Sequence, residues 1–225
     1  MGIEERRERE RRQRRNDIVD AAESVFFSKG YAVATMDDVA EQAELSKGTL
    51  YLYFKSKEDL YFAIIFRAHQ MLCERFRQAV ATQATGLEQV HAIGKAYVQF
   101  YYDCKDYYTA LVYSEARGMC CEQGAEDNQK IHEMNRPMAI LIEALNLGVA
   151  DGSIRSDINP VETAVILWAN TTGLMQVVSK KGNMLHNHFD IQPDDIIKAG
   201  FDMIREWLTH GVVDQTDNQS VDKEE

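Results

Sequence analysis

Proline is scarce in this chain of 225 residues, occurring only as Pro137, Pro160 and Pro193. So few breaks leave room for long helices, because a proline inside a helix removes a hydrogen bond and clashes with the preceding turn. No apolar and polar alternation marks a half-buried strand, and no internal repeat or low-complexity linker divides the sequence. No apolar run approaches the ~20 residues of a membrane span, and Met1 leads into charged residues rather than an apolar leader. A cytoplasmic location with no membrane partner is expected. Cysteine is limited to Cys73, Cys104, Cys120 and Cys121, with no CxxC pair. A cytosolic chain keeps such thiols reduced. The adjacent Cys120 and Cys121 can be a redox or soft-metal pair, though such cysteines are more often small buried hydrophobes. Also missing are a phosphate loop, a dinucleotide fingerprint and a nucleophile elbow. His186 and His188, with His210 beyond, have no carboxylate at ligand spacing and read as solvated. No catalytic residue, cofactor or metal is expected, and the chain is read as something other than an enzyme.

Net positive charge is the next absence, since the chain carries −11. Taken globally, that argues against nucleic acid. Residues 1–57, however, hold eleven basic and eleven acidic side chains and are neutral, whereas residues 58–225 hold fourteen against twenty-five. The acidity belongs to the C-terminal three-quarters, and a neutral head with clustered arginines can still bind phosphates.

What is present is a succession of helical patterns, so the fold class expected is all-α, with about nine helices. Glu4–Arg15 alternates charge at helical spacing, with Glu5–Arg9, Glu8–Arg12 and Glu10–Arg14 as i,i+4 pairs. It reads either as a solvated helical extension or as a basic arm for DNA. From Ile18 an apolar face forms with Ala22, Val25 and Phe26, and Gly30 ends the first helix. Thr35 with Asp38 opens a second helix, Ser46 a third, and Ser56 with Asp59 a long fourth, from Lys57 to about Thr82. Further helices are expected over Leu87–Cys104, Asp106–Gly118 and Asn128–Ala150. Asn159-Pro160-Val161-Glu162 starts another, running to about Ser179. A polar loop over Lys180–Gln192 and a last helix from Pro193 to about His210 follow, before an acidic tail expected to be disordered. The domains implied are residues 1–56, 57–211 and a tail over 212–225.

The stretch Thr35–Lys57 reads as two short helices joined by the turn Glu44-Leu45-Ser46. In a helix-turn-helix the second helix enters the major groove while the first braces it. Lys47–Tyr53 would be that second helix. Gly48, lacking a side chain, permits close backbone approach, and Thr49 can hydrogen-bond or touch a thymine methyl. Tyr51, Tyr53, Lys55, Lys57 and the Thr35 hydroxyl suit phosphates, which position a protein without reading sequence. Met36 and Ser46 complete the DNA-contacting set expected here.

The pattern A-x-x-x-F over Ala22–Phe26, G-Y-x-x-x-T-x-x-x-V-A over Gly30–Ala40, and S-K-G-T-L-Y-x-Y-F-x-S-K-E-D-L over Ser46–Leu60 resembles the TetR/AcrR family of bacterial transcriptional regulators. The likeness is dense over residues 16–60 and covers only architecture beyond them. It implies an all-α homodimer with an N-terminal helix-turn-helix domain and a larger helical domain for a small-molecule effector and dimerisation. It further implies a repressor on a palindromic double-stranded operator, released by that effector. The alternative is a helical ligand-binding or interaction protein that no longer reads DNA.

Two features of the C-terminal part fit those implications. Apolar positions of the last two helices cover more than one face, which fits either a second partner besides the core, supplied by a two-fold copy, or a fully internal helix. Val165, Trp168, Thr172, Ile197, Phe201, Ile204 and Leu208 are the interface residues expected. Aromatic residues crowd the helices after residue 90. The effector lining expected is Tyr97, Phe100, Tyr101, Cys104, Tyr108, Tyr113, Met134, Met138, Trp168 and Met175, suiting an apolar or aromatic effector.

Overall fold

The computed structural model describes residues 2–117 and 136–210. These residues form nine helices and no strand: α1 Ile3–Lys29, α2 Met36–Gln42, α3 Lys47–Tyr53, α4 Lys57–Val80, α5 Gly86–Asp103, α6 Lys105–Ala116, α7 Arg136–Asp151, α8 Pro160–Phe189 and α9 Pro193–Thr209. None of the described helices is long and apolar enough to cross a membrane. The residues group into two compact units. The first holds α1, α2, α3, α4 through Leu72, the end of α5 from Phe100, and α6; the second holds the remainder of α4 and α5 with α7, α8 and α9. The start of α4 coincides with the boundary expected at residue 57, but compactness groups its first part with the head.

In the first unit, α1 is one unbroken rod that buries Ile18, Ala22, Val25 and Phe26 and ends at Gly30, whose φ of 78° only glycine adopts freely. The Thr35–Asp38 capping box forms as the sequence predicts: the Asp38 N–H donates to Thr35 Oγ1 at 3.2 Å and the Thr35 N–H to Asp38 Oδ2 at 2.8 Å. Lys29 Nζ donates to Asp38 Oδ1 at 2.8 Å, tying the end of α1 to the start of α2. Ser46 caps α3 through the Thr49 N–H at 3.1 Å, and Ser56 caps α4 through the Asp59 N–H at 3.0 Å. Between α2 and α3 the chain turns at Glu44, with φ of 54°, and the Leu45 N–H reaches Ala40 O at 2.9 Å. Ile18, Leu50, Phe54, Leu60 and Ile64 are fully buried at the centre.

Helix α6 joins this head through tyrosines. Tyr61 packs against Phe26, Tyr31 and Tyr113, with ring centroids 5.6, 4.5 and 6.2 Å away. Tyr107 meets Phe27 edge-on at 5.2 Å. Arg67 of α4 pairs with Asp20 and Glu23 of α1 at 2.6 and 2.9 Å, and the Tyr107 hydroxyl joins the same cluster. Burial pushes the Tyr61 and Tyr107 hydroxyls up to about 12, so both stay neutral donors.

In the second unit α8 and α9 pack on each other. Helix α8 does not stop near Ser179 as the sequence predicts but continues through the expected polar loop to Phe189, ending where Asp190 turns left-handed at φ 54°. The cause is packing. Val178 and Gly182 are buried and Leu185 is half-buried along one line, leaving the lysines, asparagines and histidines outward. Helix α5 begins against the end of α7, where a side chain on Gly86 would lie 2.0 Å from the Gly148 nitrogen. Asp151 and Ser153 cap α5 there, accepting from the Gly86 and Leu87 N–H groups at 2.8 and 3.1 Å. The start of the expected 128–150 helix, Cys120, Cys121, Met134 and the acidic tail lie outside the described residues.

Two expectations follow. Hydrogen bonds from Lys29 and then Thr35 hold the Asp38 carboxyl down from 3.8 to about 2. A depressed carboxylate stabilises fully above its unfolded value and loses that contribution as pH falls through the folded one. The stability difference between wild type and Asp38→Asn should therefore be constant above pH ~5 and shrink from pH ~4 towards ~2 in acid titrations of chemical unfolding. Gly86→Ala should cost about 3 kcal/mol, the upper end for overpacking, and lower the Tm by ~6–12 °C in calorimetry.

Candidate functional site

Helix α3 has seven residues and only Leu50 is buried. Its solvent face runs from Lys47 and Tyr51 through Gly48 and Leu52 to Thr49, at helical spacing. At Gly48 an added side-chain carbon would meet nothing nearer than Ser46 Oγ at 4.0 Å. Nothing inside the head requires glycine there. Ser46 and Thr49 hold each other, their hydroxyls 2.8 Å apart. Thr35, Ser46, Lys47, Gly48, Tyr51 and Lys55 are exposed, and Thr49 and Tyr53 are half-buried.

Two of the expected contacts sit differently. Met36 is 8% exposed, because it shares the buried side of α2 with Val39 and Ala40. Lys57 donates to Ala34 O at 2.7 Å and lies over the Tyr31 ring at 4.5 Å, so its ammonium clamps the α1–α2 loop. Lys47 carries an intramolecular partner too: its Nζ is 2.6 Å from Asp37 Oδ1, and that hydrogen bond raises its pKa. A phosphate would have to displace this exposed carboxylate. Leu52, 78% exposed, belongs to the same face and was not among the residues expected. Its signal in the sequence was its place one turn beyond Gly48.

The second unit contains a cavity of about 300 Å³. Its wall is apolar: Phe76 from α4, Leu87, Val90, Ile93 and Tyr97 from α5, Leu141 from α7, Leu167 and Trp168 from α8, and Phe201, Ile204 and Leu208 from α9. Glu88, His91, Thr171 and Arg205 supply its polar atoms. Gly94 brings α5 close to α9, since a side-chain carbon there would be 2.3 Å from the Phe201 ring. Tyr97 packs against Trp168 with ring centroids 5.0 Å apart and planes tilted by 46°, and its hydroxyl sits 3.0 Å from Thr172 Oγ1. His91 meets Phe201 edge-on at 5.6 Å; burial, then Lys95 and Arg205, lower its pKa and favour the neutral imidazole. The Glu88 carboxylate is already used at the start of α5, accepting from the Ala84 and Thr85 N–H groups at 3.1 and 3.0 Å.

Of the effector lining expected from sequence, Tyr97 and Trp168 reach this cavity. Phe100, Tyr101, Cys104, Tyr108 and Tyr113 belong to the first unit. Met138 and Met175 lie in the second unit but off the cavity wall. Of the interface residues expected, Trp168, Phe201, Ile204 and Leu208 line the cavity, Thr172 and Ile197 are buried, and Val165 is 54% exposed. Val165 shares an exposed stripe of α8 with Ile166, Ala169, Gly173, Val177 and Met184. Among the described residues no group of three His, Cys, Asp or Glu is arranged to hold a metal. His186, in the last turn of α8, has its ring nitrogen 3.1 Å from the Gln192 amide.

The sequence model of the family described as bacterial regulatory proteins, tetR family, matches residues 18–64, from the buried half of α1 into α4. The chain is 30% identical over 150 residues to the HTH-type transcriptional repressor KstR2 of Rhodococcus jostii (strain RHA1), covering 65% of this chain and 70% of that protein. It is 37% identical over 90 residues to the HTH-type transcriptional activator FasR of Mycolicibacterium smegmatis, covering 40% of this chain and 41% of that protein. The match thus spans less than half of the length of FasR. Among solved structures, the regulator FadR from Bacillus subtilis in complex with stearoyl-CoA has the same fold, with a TM-score of 0.62 at 20% identity over 84% of this chain and 96% of that one. Head motif, all-helical fold and relatives agree: the chain belongs to the TetR family of bacterial transcriptional regulators.

Proposed function

We propose that this regulator binds a palindromic operator as a homodimer in the cytoplasm, represses from it, and is released by an effector with a long apolar chain held in the second-unit cavity. The observation that carries the DNA part is Gly48, exposed on a capped helix whose packing has no need of glycine. Close approach to base edges gives it a reason. Lys47, Tyr51, Tyr53 and Lys55 would take phosphates, Thr49 and Leu52 thymine methyls or other base-edge groups. Two such helices on a two-fold axis would sit about one helical turn apart, ~34–36 Å. The stripe Val165, Ile166, Ala169, Gly173, Val177 and Met184 supports the dimer, because small and apolar residues at helical spacing on an exposed face suit a matching helix from a second copy.

The effector reading rests on a cavity whose wall is almost wholly apolar, and on the stearoyl-CoA carried by the B. subtilis neighbour. A fatty acyl thioester is therefore the effector class proposed. It would act by favouring the conformer that does not fit the operator, since equal affinity for both conformers shifts nothing. Repression is favoured by the likeness to KstR2, which covers more of the chain than the likeness to the activator FasR.

The test is operator binding followed by fluorescence anisotropy, using a duplex recovered by selection from random DNA. Salt-sensitive binding that survives competitor DNA, and its loss on adding stearoyl-CoA, are expected; binding that never exceeds competitor DNA would leave only a ligand-binding helical protein. Gly48→Ala should weaken operator binding at least ~10-fold, ~1.4 kcal/mol, while stability stays level or rises by up to ~1 kcal/mol. A drop in both would make Gly48 structural. Thr171→Phe, which grows into the cavity from a residue whose hydroxyl bonds only its own helix at Leu167 O, should abolish thermal stabilisation by stearoyl-CoA. Operator affinity without the thioester should stay within ~2-fold, less than ~0.5 kcal/mol.

A further inference from the structure

Helix α1 begins about four turns before the first residue it buries. Ile18 is the first buried position, and residues 2–14 are all exposed. This extension contains seven arginines and four glutamates through Arg15, a net charge of +3 in a chain of −11. The pairing expected from sequence is not the pairing formed. Arg6 Nε takes Glu10 Oε1 at 2.8 Å, whereas Arg9 and Arg12 on the same side, and opposite them Arg7, Arg11 and Arg14, have no ion-pair partner among the described residues. Those three recur at spacings of four and three, and the same line continues into Ile18, Ala22 and Val25. A stripe that is core further along becomes a row of unpaired guanidinium groups once the helix leaves the head.

The root of the extension is fixed beside the reading helix. The Arg15 guanidinium lies 4.6 Å above the ring of Phe54, the residue that caps the end of α3. Phe54 is fully buried, so the stack orients the extension relative to α3. Its twelve residues from Ile3 to Arg14 reach ~18 Å, about five base pairs of duplex. A helix ~10–12 Å across does not enter a minor groove ~6 Å wide, but arginines along it can reach phosphates at the groove edge.

We propose that the N-terminal extension of α1 is a second DNA-binding element, in which Arg7, Arg11 and Arg14 hold the backbone phosphates flanking each operator half-site. This rests on the operator-binding reading above. The unpaired row favours a regular array of phosphates over an acidic protein, because the spacing of charge is fixed by a rigid helix and its root lies at the reading helix.

The test measures operator affinity of the full chain against salt concentration, on a selected duplex with at least ten flanking base pairs. Three phosphates per protomer, six per dimer, contribute about 5 to the slope of log affinity against log salt. The triple variant Arg7→Gln, Arg11→Gln, Arg14→Gln should lower the slope by ~5, and by no less than ~2. It should also shorten the hydroxyl-radical footprint by up to ~5 base pairs on each side. Arg6→Gln, Arg9→Gln, Arg12→Gln, on the opposite side, should change the slope by less than ~1 and leave the footprint alone. Lysine in place of Arg7, Arg11 and Arg14 should keep the slope, with helix content of every variant checked by circular dichroism. A slope change below ~2 in the first variant, or an equal change in the second, overturns the proposal while leaving the head as the DNA reader. If the unaltered protein selects no duplex, the operator reading falls and this inference with it.

Discussion

A helix of seven residues does not persist alone in water, and α3 is one. Its conformation depends on Leu50 and Phe54, which are both fully buried, and on the Ser46 cap. Much of the first unit can be understood as support for those anchors. Lys29, Asp38 and Thr35 fix where α2 begins, and the turn at Glu44 then fixes the direction of α3. With its inner face so occupied, the helix is free to present Lys47, Gly48, Tyr51 and Leu52 outward, with Thr49 at the edge.

Local rules were legible in the sequence wherever one residue type satisfies one backbone need. The caps at Thr35, Ser46, Ser56 and Asn159 form as predicted because hydroxyl and amide side chains answer the unpaired N–H groups of a helix start. The extent of α8 was not legible, since Lys180–His188 is polar and only packing through Val178, Gly182 and Leu185 reveals which side is inside. The placement of the tyrosines was not legible for a related reason. Composition marks Tyr113 as suited to a ligand, yet it packs with Tyr31 and Tyr61 in a seam between α6 and the head, where burial pushes the Tyr31 and Tyr61 hydroxyls up. The cavity is lined instead by residues that read as ordinary core, such as Leu87, Val90 and Leu141. A cavity wall and a core share one composition, so periodicity cannot separate them.

Charge around the exposed face of α3 is more committed than the sequence suggests. Lys57 is spent on Ala34 and Tyr31, and Lys47 on Asp37. Specific binding in the proposed mode would then draw on close contact at α3 more than on bare positive charge, with the unpaired arginines of α1 supplying the electrostatic share. Helices α4 and α5 each contribute one segment to the head's unit and one to the unit with the cavity.

The most direct measurement is the mass of the protein–operator complex by native mass spectrometry, before and after adding stearoyl-CoA. Protomers in an even number are expected on each palindromic duplex, replaced after addition by free duplex and a thioester-bound protein dimer. A single protomer on the duplex, or a thioester-bound protein that remains on its operator undiminished, would contradict that expectation.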